Sequence, residues 1–568
     1  MKRDRKLIVL VLMLGGLCLP ALRARAAVED YVPDDALAVL KVKDLAAHYE
    51  EFVNSPLAAR LADPEFVPQL AEGLEEARKG LEEFEAENEV DVKGVLADIL
   101  GHECALVVFP DETGVLVVEA QSKGDLRDAV DEFLRVERLT DSLRDTETTR
   151  YKGRQIQAGK MKDGDTRYHA ISGRMLAVSE DRSAVERVLD TAAGARQPIG
   201  DSEDYRDAMA LAESDALAVG YVSGAALEAV AERMRKQSEE HGNPIGRLIQ
   251  VRLAEGLPMT RFLALRVLHG DDLTVRLTAV YEGGRLPEAL EAVLPRPGAR
   301  LEALDLVPSD AAVAVARGLD PSGAWNRMME MLEEAAPRRA RRAEQAMNAL
   351  VVMVGGVYSR EALLDQFKGQ KALMVLPAGA PDALPAAALA VGLRETEHIP
   401  AALESAVGSL VTFARAGGGH KVALQQSEHE GVRLTTVRVD EPEVWSKLSP
   451  TFGVVEDALI VTTSLDAARR IIDTARGGSP VRPLRTHGTP FSMARANART
   501  LAEMLDRHHD FLVRHAVKER GESEAEARRN LAALRKLLSL LDTVEYVGAF
   551  GDGRTEHHLH LNLAHDAR

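Results

Sequence analysis

Residues Gly173–Gly194 read GRMLAVSEDRSAVERVLDTAAG, and residues Glu456–Gly477 read EDALIVTTSLDAARRIIDTARG. The two stretches have equal length and begin 283 positions apart. A unit copied head to tail is the simplest reading, and self-similarity at a long period decides the architecture before any single residue does.

Working outward, further pairs follow in the same order. Tyr31-Val32-Pro33-Asp34-Asp35-Ala36 opens the first half and Leu306-Val307-Pro308-Ser309-Asp310-Ala311 the second. Then come GHECALVVFP from Gly101 and GQKALMVLP from Gly369, apolar runs of strand length bounded by Gly and Pro. Tyr151-Lys152-Gly153 and His429-Glu430-Gly431 each place Gly at a turn before an extended segment. LTVRLTAVY from Leu273 and EHHLHLNL from Glu556 alternate as antiparallel strands with one covered face. Just before each of these, Gly270-Asp271-Asp272 and Gly551-Asp552-Gly553 supply hairpin chemistry.

Helical spacing is equally clear at Leu70, Leu74, Ala77, Leu81 and Phe84, and at Ala527, Leu531, Leu534, Leu538 and Leu541. Both stripes are expected to face inward in helical hairpins. The predicted fold is α+β: two tandem repeats, each a mainly antiparallel sheet flanked by amphipathic helices and a helical hairpin. The first repeat is set at 27–282, a Gly/Pro-rich linker at 283–301 with a short helix near Leu286, and the second repeat at 302–568.

Lys2, Arg3, Arg5 and Lys6 precede an apolar run from Leu7 to Leu19, followed by Ala24-Arg25-Ala26. That pattern predicts a secretory signal peptide over 1–26, cleaved near Ala26, and a periplasmic or secreted protein. The apolar run is shorter than the roughly twenty residues a membrane span needs, and no later segment replaces it. Leu17 stands before Cys18 where a lipidation signal wants a small residue, so a lipid anchor is not expected. The chain carries a net charge of −18, and residues 1–26 hold six basic side chains against one acid, so the mature chain is more acidic still. Such a balance opposes nucleic acid and anionic surfaces. Arg338, Arg339, Arg341 and Arg342 read as the solvated face of a helix.

Chemistry is mostly missing from the sequence. Phosphate loops, dinucleotide fingerprints, H-E-x-x-H, G-x-S-x-G and C-x-x-C pairs do not occur, and Gly417–Lys421 lacks the spacing of a phosphate cradle. Past the signal peptide only Cys104 remains, which rules out an intramolecular disulfide. Cys104 heads an apolar strand and reads as a small buried hydrophobe, with only His102 nearby as a base. Aromatic residues make up 4% of the chain, too few for stacking platforms. Trp325 and Trp445 read as core anchors. His558 and His560 are the metal candidates: two apart on a strand they share a face, and Leu559, Leu561 and Leu563 would then point to the core. No cofactor is implied.

Tyr31–Ala36, Asn54-Ser55-Pro56-Leu57, Asp63-Pro64-Glu65-Phe66 and Gly173–Gly194 together resemble exported bacterial proteins of a domain-of-unknown-function family, the 3352 type. The resemblance implies export and architecture, and no activity comes with it. The second half lacks a counterpart of Asn54–Phe66. The functional reading is a non-enzymatic binding or scaffold protein of the cell envelope, taking an envelope protein or a small molecule at the cleft between repeats. An exported hydrolase or folding factor stays open as the alternative.

Overall fold

The computed structural model describes residues 27–564, leaving out 60–67, 212–215, 241–255, 354–365, 413–421 and 440–447 together with scattered positions, chiefly within 45–57 and 397–410. Residues 1–26, read as a signal peptide, and Asp63–Phe66, Gly417–Lys421 and Trp445 lie outside the described residues. The protein is α+β, with extensive antiparallel sheet and thirteen α-helices among the described residues. Its contacts divide it into two units: Met1–Ala231 with Leu257–Val280 and Ala564–Arg568, and Glu232–Gly256 with Tyr281–Leu563.

The first unit holds β1 (Ala38–Lys43), β2 (Glu103–Val108), β3 (Gly114–Glu119), β4 (Leu143–Tyr151), β5 (Arg154–Met161), β6 (Thr166–Ser172), β7 (Met175–Ser179), β8 (Ala218–Ser223), β9 (Thr260–His269) and β10 (Leu273–Tyr281). Its helices are α1 (Pro68–Asn88), α2 (Val92–Leu100), α3 (Lys123–Leu139), α4 (Arg182–Thr191), α5 (Glu203–Ala210) and α6 (Gly224–Glu240). Strand pairing runs β10-β9-β8-β1-β2-β3-β7-β6-β5-β4, antiparallel from β9 to β4.

The second unit holds β11 (Val313–Gly318), β12 (Phe367–Leu376), β13 (Ala386–Leu393), β14 (Val422–His429), β15 (Val432–Val439), β16 (Thr451–Val455), β17 (Ala458–Thr462), β18 (Thr489–Asn497), β19 (Leu541–Gly551) and β20 (Arg554–Leu563). Its helices are α7 (Glu288–Glu291), α8 (Pro321–Ala335), α9 (Pro337–Met353), α10 (Leu465–Ala475), α11 (Ala498–Arg507), α12 (His509–His515) and α13 (Glu524–Ser539). Pairing runs β20-β19-β18-β11-β12-β13-β17-β16-β15-β14. Adding ten to each strand number of the first unit gives this order.

Local geometry follows the same correspondence. Lys152-Gly153 and Glu430-Gly431 turn their hairpins with both residues at positive φ, 46° and 84° in one and 48° and 76° in the other. Only a type I′ turn needs two such residues, and Gly at the second place makes it cheap. Pro33 bridges Pro198 and Pro308 bridges Pro480. Beside those bridges, the Ile199 amide donates to Val32 at 2.7 Å and the Val481 amide to Val307 at 2.8 Å. Asp190 accepts from the Tyr151 hydroxyl at 3.1 Å, and Asp473, its counterpart, lies 2.6 Å from the His429 ring.

One sheet face in each unit is closed by the helix of the opening segment. Ala184, Val185, Val188 and Leu189 of α4 bury against Val39, Ala105, Val117 and Ala177. Ala467, Ala468, Ile471 and Ile472 of α10 bury against Ala314, Ala372, Ala390 and Ile460. These helical positions repeat at one, three and four, the stripe that a single buried helix face requires. On the opposite face of the first sheet, Val95 and Ile99 of α2 with Leu126, Val130 and Leu134 of α3 cover Val42, Cys104, Val118 and Leu176.

One expectation fails. The stripe through Ala527 and Leu534 does not face inward throughout: Ala527 is buried, Leu534 and Leu537 are exposed, and Leu541 already begins β19. The helix rests on its neighbours along one edge, which covers less than a full apolar stripe.

Candidate functional site

Paired residues of neighbouring antiparallel strands point to the same side of a sheet. Lys41, Glu103 and Glu119 stand on the α4 side of the first sheet, Lys41 directly opposite Ala105 and Glu103 directly opposite Glu119. A 3-10 turn at Val28–Asp30 closes over them. Lys41 Nζ lies 2.5 Å from Glu29 Oε1 and 3.1 Å from Glu103 Oε1, and the Val28 amide donates to Glu103 Oε2 at 2.9 Å. Glu119, 1% exposed, accepts from Arg174 on the β6–β7 turn. Glu29 Oε2 and the Tyr205 hydroxyl of α5 are buried with no hydrogen bond among the described residues.

Burial works to lower the Lys41 pKa, but the Glu29 and Glu103 carboxylates outweigh it and hold the ammonium above its ordinary value. Burial likewise works to raise Glu103, and Lys41 with the Val28 amide brings it below the ordinary carboxylate range. At Glu119 burial prevails over Arg174 and the carboxyl is raised. Burial and the neighbouring Glu29 and Glu103 charges raise the Tyr205 phenol. Lys41 is thus held between the Glu29 and Glu103 side chains, and the shift favours its ammonium over the neutral amine a nucleophile needs.

The aligned positions of the second unit carry none of this. Leu304 stands for Glu29, Leu306 for Tyr31, Ala316 for Lys41, Gln370 for Glu103, Gly392 for Glu119 and Asp457 for Arg174. The register agrees, since Ala316 pairs with Ala372 as Lys41 pairs with Ala105, and Gly318 with Gln370 as Lys43 with Glu103. One scaffold closes here with charges and once more with almost none. Sequence reading missed the cluster, although the signal was present: Lys41, Glu103 and Glu119 sit inside or at the ends of apolar runs, and the aligned positions of the second unit are Ala316, Gln370 and Gly392.

The opposite sheet face carries a second feature. Leu40, Leu106, Leu116 and Val178 form one row across β1, β2, β3 and β7. Val315, Leu373, Leu389 and Val461 form the corresponding row across β11, β12, β13 and β17. Leu40, Leu106, Leu389 and Val461 are exposed, and Leu373 is 54% exposed. Large apolar side chains in the middle of a sheet ordinarily lie under a helix or a second sheet.

The metal candidates sit on β20. His558 is buried and its Nε2 lies 3.2 Å from Glu556 Oε2, while Leu559 is exposed, so the expected facing is reversed at these two positions. Burial tends to raise Glu556, but the bond from His558 and the charge of Arg554 hold it below the ordinary range. His560 pairs with Glu545 across β19. Next to them, His557 Nδ1 lies 2.7 Å from the Tyr546 hydroxyl. Among the described residues no three His, Cys, Asp or Glu side chains gather as a metal set.

Cys104 is buried, and burial with the adjacent Glu103 charge pushes its thiol up to about 12. The thiolate is the reactive form. Alkylation of Cys104 at pH 8 should therefore be negligible in the native chain and complete in denaturant, read by peptide mass mapping.

Residues 30–249 match the family model described as "Protein of unknown function (DUF3352)". This segment is similar to the DUF3352 family. It spans β1 to β8 and includes Lys41, Glu103, Glu119, Arg174 and Tyr205, with Glu29 one residue before its start. The second unit's strands, from β11 on, lie beyond the DUF3352 match. No curated protein and no solved structure matches the chain.

Proposed function

We propose that the protein is an exported, non-enzymatic binding or scaffold protein of the cell envelope, built from a duplicated α+β unit. The observation that carries the reading is the exposed part of the two apolar rows, Leu40 and Leu106 in the first unit and Leu373, Leu389 and Val461 in the second. Contiguous exposed apolar side chains mark interaction surfaces. The occupant is the apolar face of a partner's amphipathic helix, because α2 and α3 already lie on the same face of the first sheet with their own apolar stripes. The strip beside them offers the same surface to one helix more. Identical strand orders and matched turns support the duplication. The guarded states of Cys104, Lys41 and Glu103 favour a binding protein over a hydrolase.

A folding factor is the second reading, favoured by the same rows, since unfolded chains also present apolar surface. Photo-crosslinkers at Leu373 and Leu389, activated in the intact envelope, separate the two. A scaffold gives one discrete adduct, and a folding factor gives a broad set of clients. Leu373→Asp with Leu389→Asp should weaken the discrete complex at least about thirtyfold while circular dichroism and melting temperature stay those of the parent. A complex as tight with that pair of substitutions as without it would sink the proposal.

A further inference from the structure

The charge cluster is sealed by the first residues past the export signal. Glu29, Glu103 and Glu119 are ion-paired with Lys41 and Arg174, with Asp30 and Lys43 close enough to act on them. Val28 is fully buried in the core of the first unit, and its amide is spent on Glu103. Val32 is equally buried and its carbonyl holds Ile199. From Val28 onward the backbone is committed to the fold, so residues ahead of Ala27 can be removed without loss of these contacts. Ala27 is the last residue before that commitment. Immediately ahead of it, Ala24 and Ala26 supply the small side chains at the two positions a signal peptidase reads.

The Ala27 nitrogen lies 3.1 Å from Asp30 Oδ2, and the Asp30 amide returns a bond to the Ala27 carbonyl at 2.9 Å. We infer that the chain is cut between Ala26 and Ala27, and that the α-ammonium released there is a structural cation that clasps Asp30 and fastens the turn over the cluster. The step is a hydrolysis by a membrane-bound signal peptidase. Water adds hydroxyl to the Ala26 carbonyl carbon, the C–N bond breaks, and the Ala27 nitrogen leaves as an amine that takes up a proton. In the uncut chain that nitrogen is an amide, a neutral donor to Asp30. After the cut it is a cation, and a charged donor makes the stronger bond to a carboxylate. The second unit provides the contrast: its corresponding turn, Glu302–Leu306, sits within a continuous chain and packs Leu304 and Leu306 where the first unit has Glu29 and Tyr31.

The inference rests on the export reading, and the test keeps the two apart. The full chain is expressed in a host with an export pathway, recovered from the envelope fraction, and its N-terminus read by intact mass and by sequencing. Ala27 as first residue is the expected result. An exported chain beginning at any other residue overturns the inference and leaves export standing, whereas a chain still beginning at Met1 overturns both.

The clasp is then read by a double-mutant cycle on melting temperature. The protein starting at Ala27 is compared with one that keeps Arg25-Ala26 ahead of it, each with and without Asp30→Asn. Asp30→Asn should lower the melting point of the Ala27 form by about 1–3 °C and change the extended form by clearly less. Equal effects in the two backgrounds would overturn the clasp, because Asp30 would then serve the turn without the ammonium.

Discussion

Lys41→Met should destabilise the protein by about 3–5 kcal/mol, the cost of leaving buried carboxylates without their counter-charge. Lys41 is in contact with both Glu29 and Glu103, so its removal strands two anions at once. The same principle predicts a different outcome when the whole group is replaced. Glu29→Leu, Lys41→Ala and Glu103→Gln together copy what the second unit holds at Leu304, Ala316 and Gln370. The Gln side chain retains a carbonyl oxygen for the Val28 amide. The triple variant should be at least as stable as the parent in urea unfolding followed by circular dichroism, since apolar replacements of buried ion networks are commonly neutral or stabilising. A triple variant as unstable as Lys41→Met would mean that the two units are not interchangeable at this place.

The pH dependence follows from the directions of the shifts. Lys41 is raised, so its contribution is complete below about pH 10.4, the ordinary value in an unfolded chain, and is lost as pH rises through its higher folded value. Glu103 is lowered, so its contribution is complete above about pH 4.3 and is lost as pH falls through its folded value. Glu119 is raised and acts in the opposite sense, costing stability as pH climbs from its unfolded to its folded value. Melting curves from pH 4 to 11 should lose part of the alkaline decline in Lys41→Met. An unchanged alkaline limb would count against the shift at Lys41.

Hydrophobic period and turn chemistry made most of the fold legible. The strands at Glu103–Val108, Met175–Ser179 and Ala458–Thr462 lie within apolar runs that Gly, Pro or polar residues delimit, and Lys152-Gly153 and Glu430-Gly431 announce their hairpins. The pairing order was beyond reach, because which strand lies beside β3 depends on a contact between Leu116 and Val178 that no local pattern encodes. The charge cluster escaped for a related reason. A Lys in an apolar strand reads as an edge or an error until Glu29, twelve residues earlier, and Glu103, far downstream, are brought to it by the fold. At β20 the alternation was seen but its sense was inverted. His558 is hydrogen-bonded to Glu556 and tolerates burial, while Leu559 falls on the open side of the sheet. Period two names two faces without saying which is covered.

Leu189→Ala and Ile472→Ala should each cost about 2–5 kcal/mol, the range for removing a large buried aliphatic side chain and leaving a cavity. Leu189 is 1% exposed and Ile472 is 0% exposed. They occupy aligned positions of α4 and α10, each helix packing on the closed face of its own sheet. If the two helices are copies of one element doing one job, the penalties should agree within about 1 kcal/mol. Neighbouring side chains set the residual difference. The core cluster of Leu189 includes the aromatic Phe109 and Tyr205, while the buried cluster of Ile472 has no aromatic side chain among the described residues and many Ala. Smaller side chains leave less to relax into the void, so Ile472→Ala should be the costlier of the two. Urea unfolding by circular dichroism gives the magnitudes, and hydrogen exchange resolved on peptides gives their location: Leu189→Ala should loosen β6 and β7, and Ile472→Ala should loosen β16 and β17. A penalty below about 1 kcal/mol at either position would place that helix outside the core of its unit and break the correspondence on which the reading of the whole chain depends.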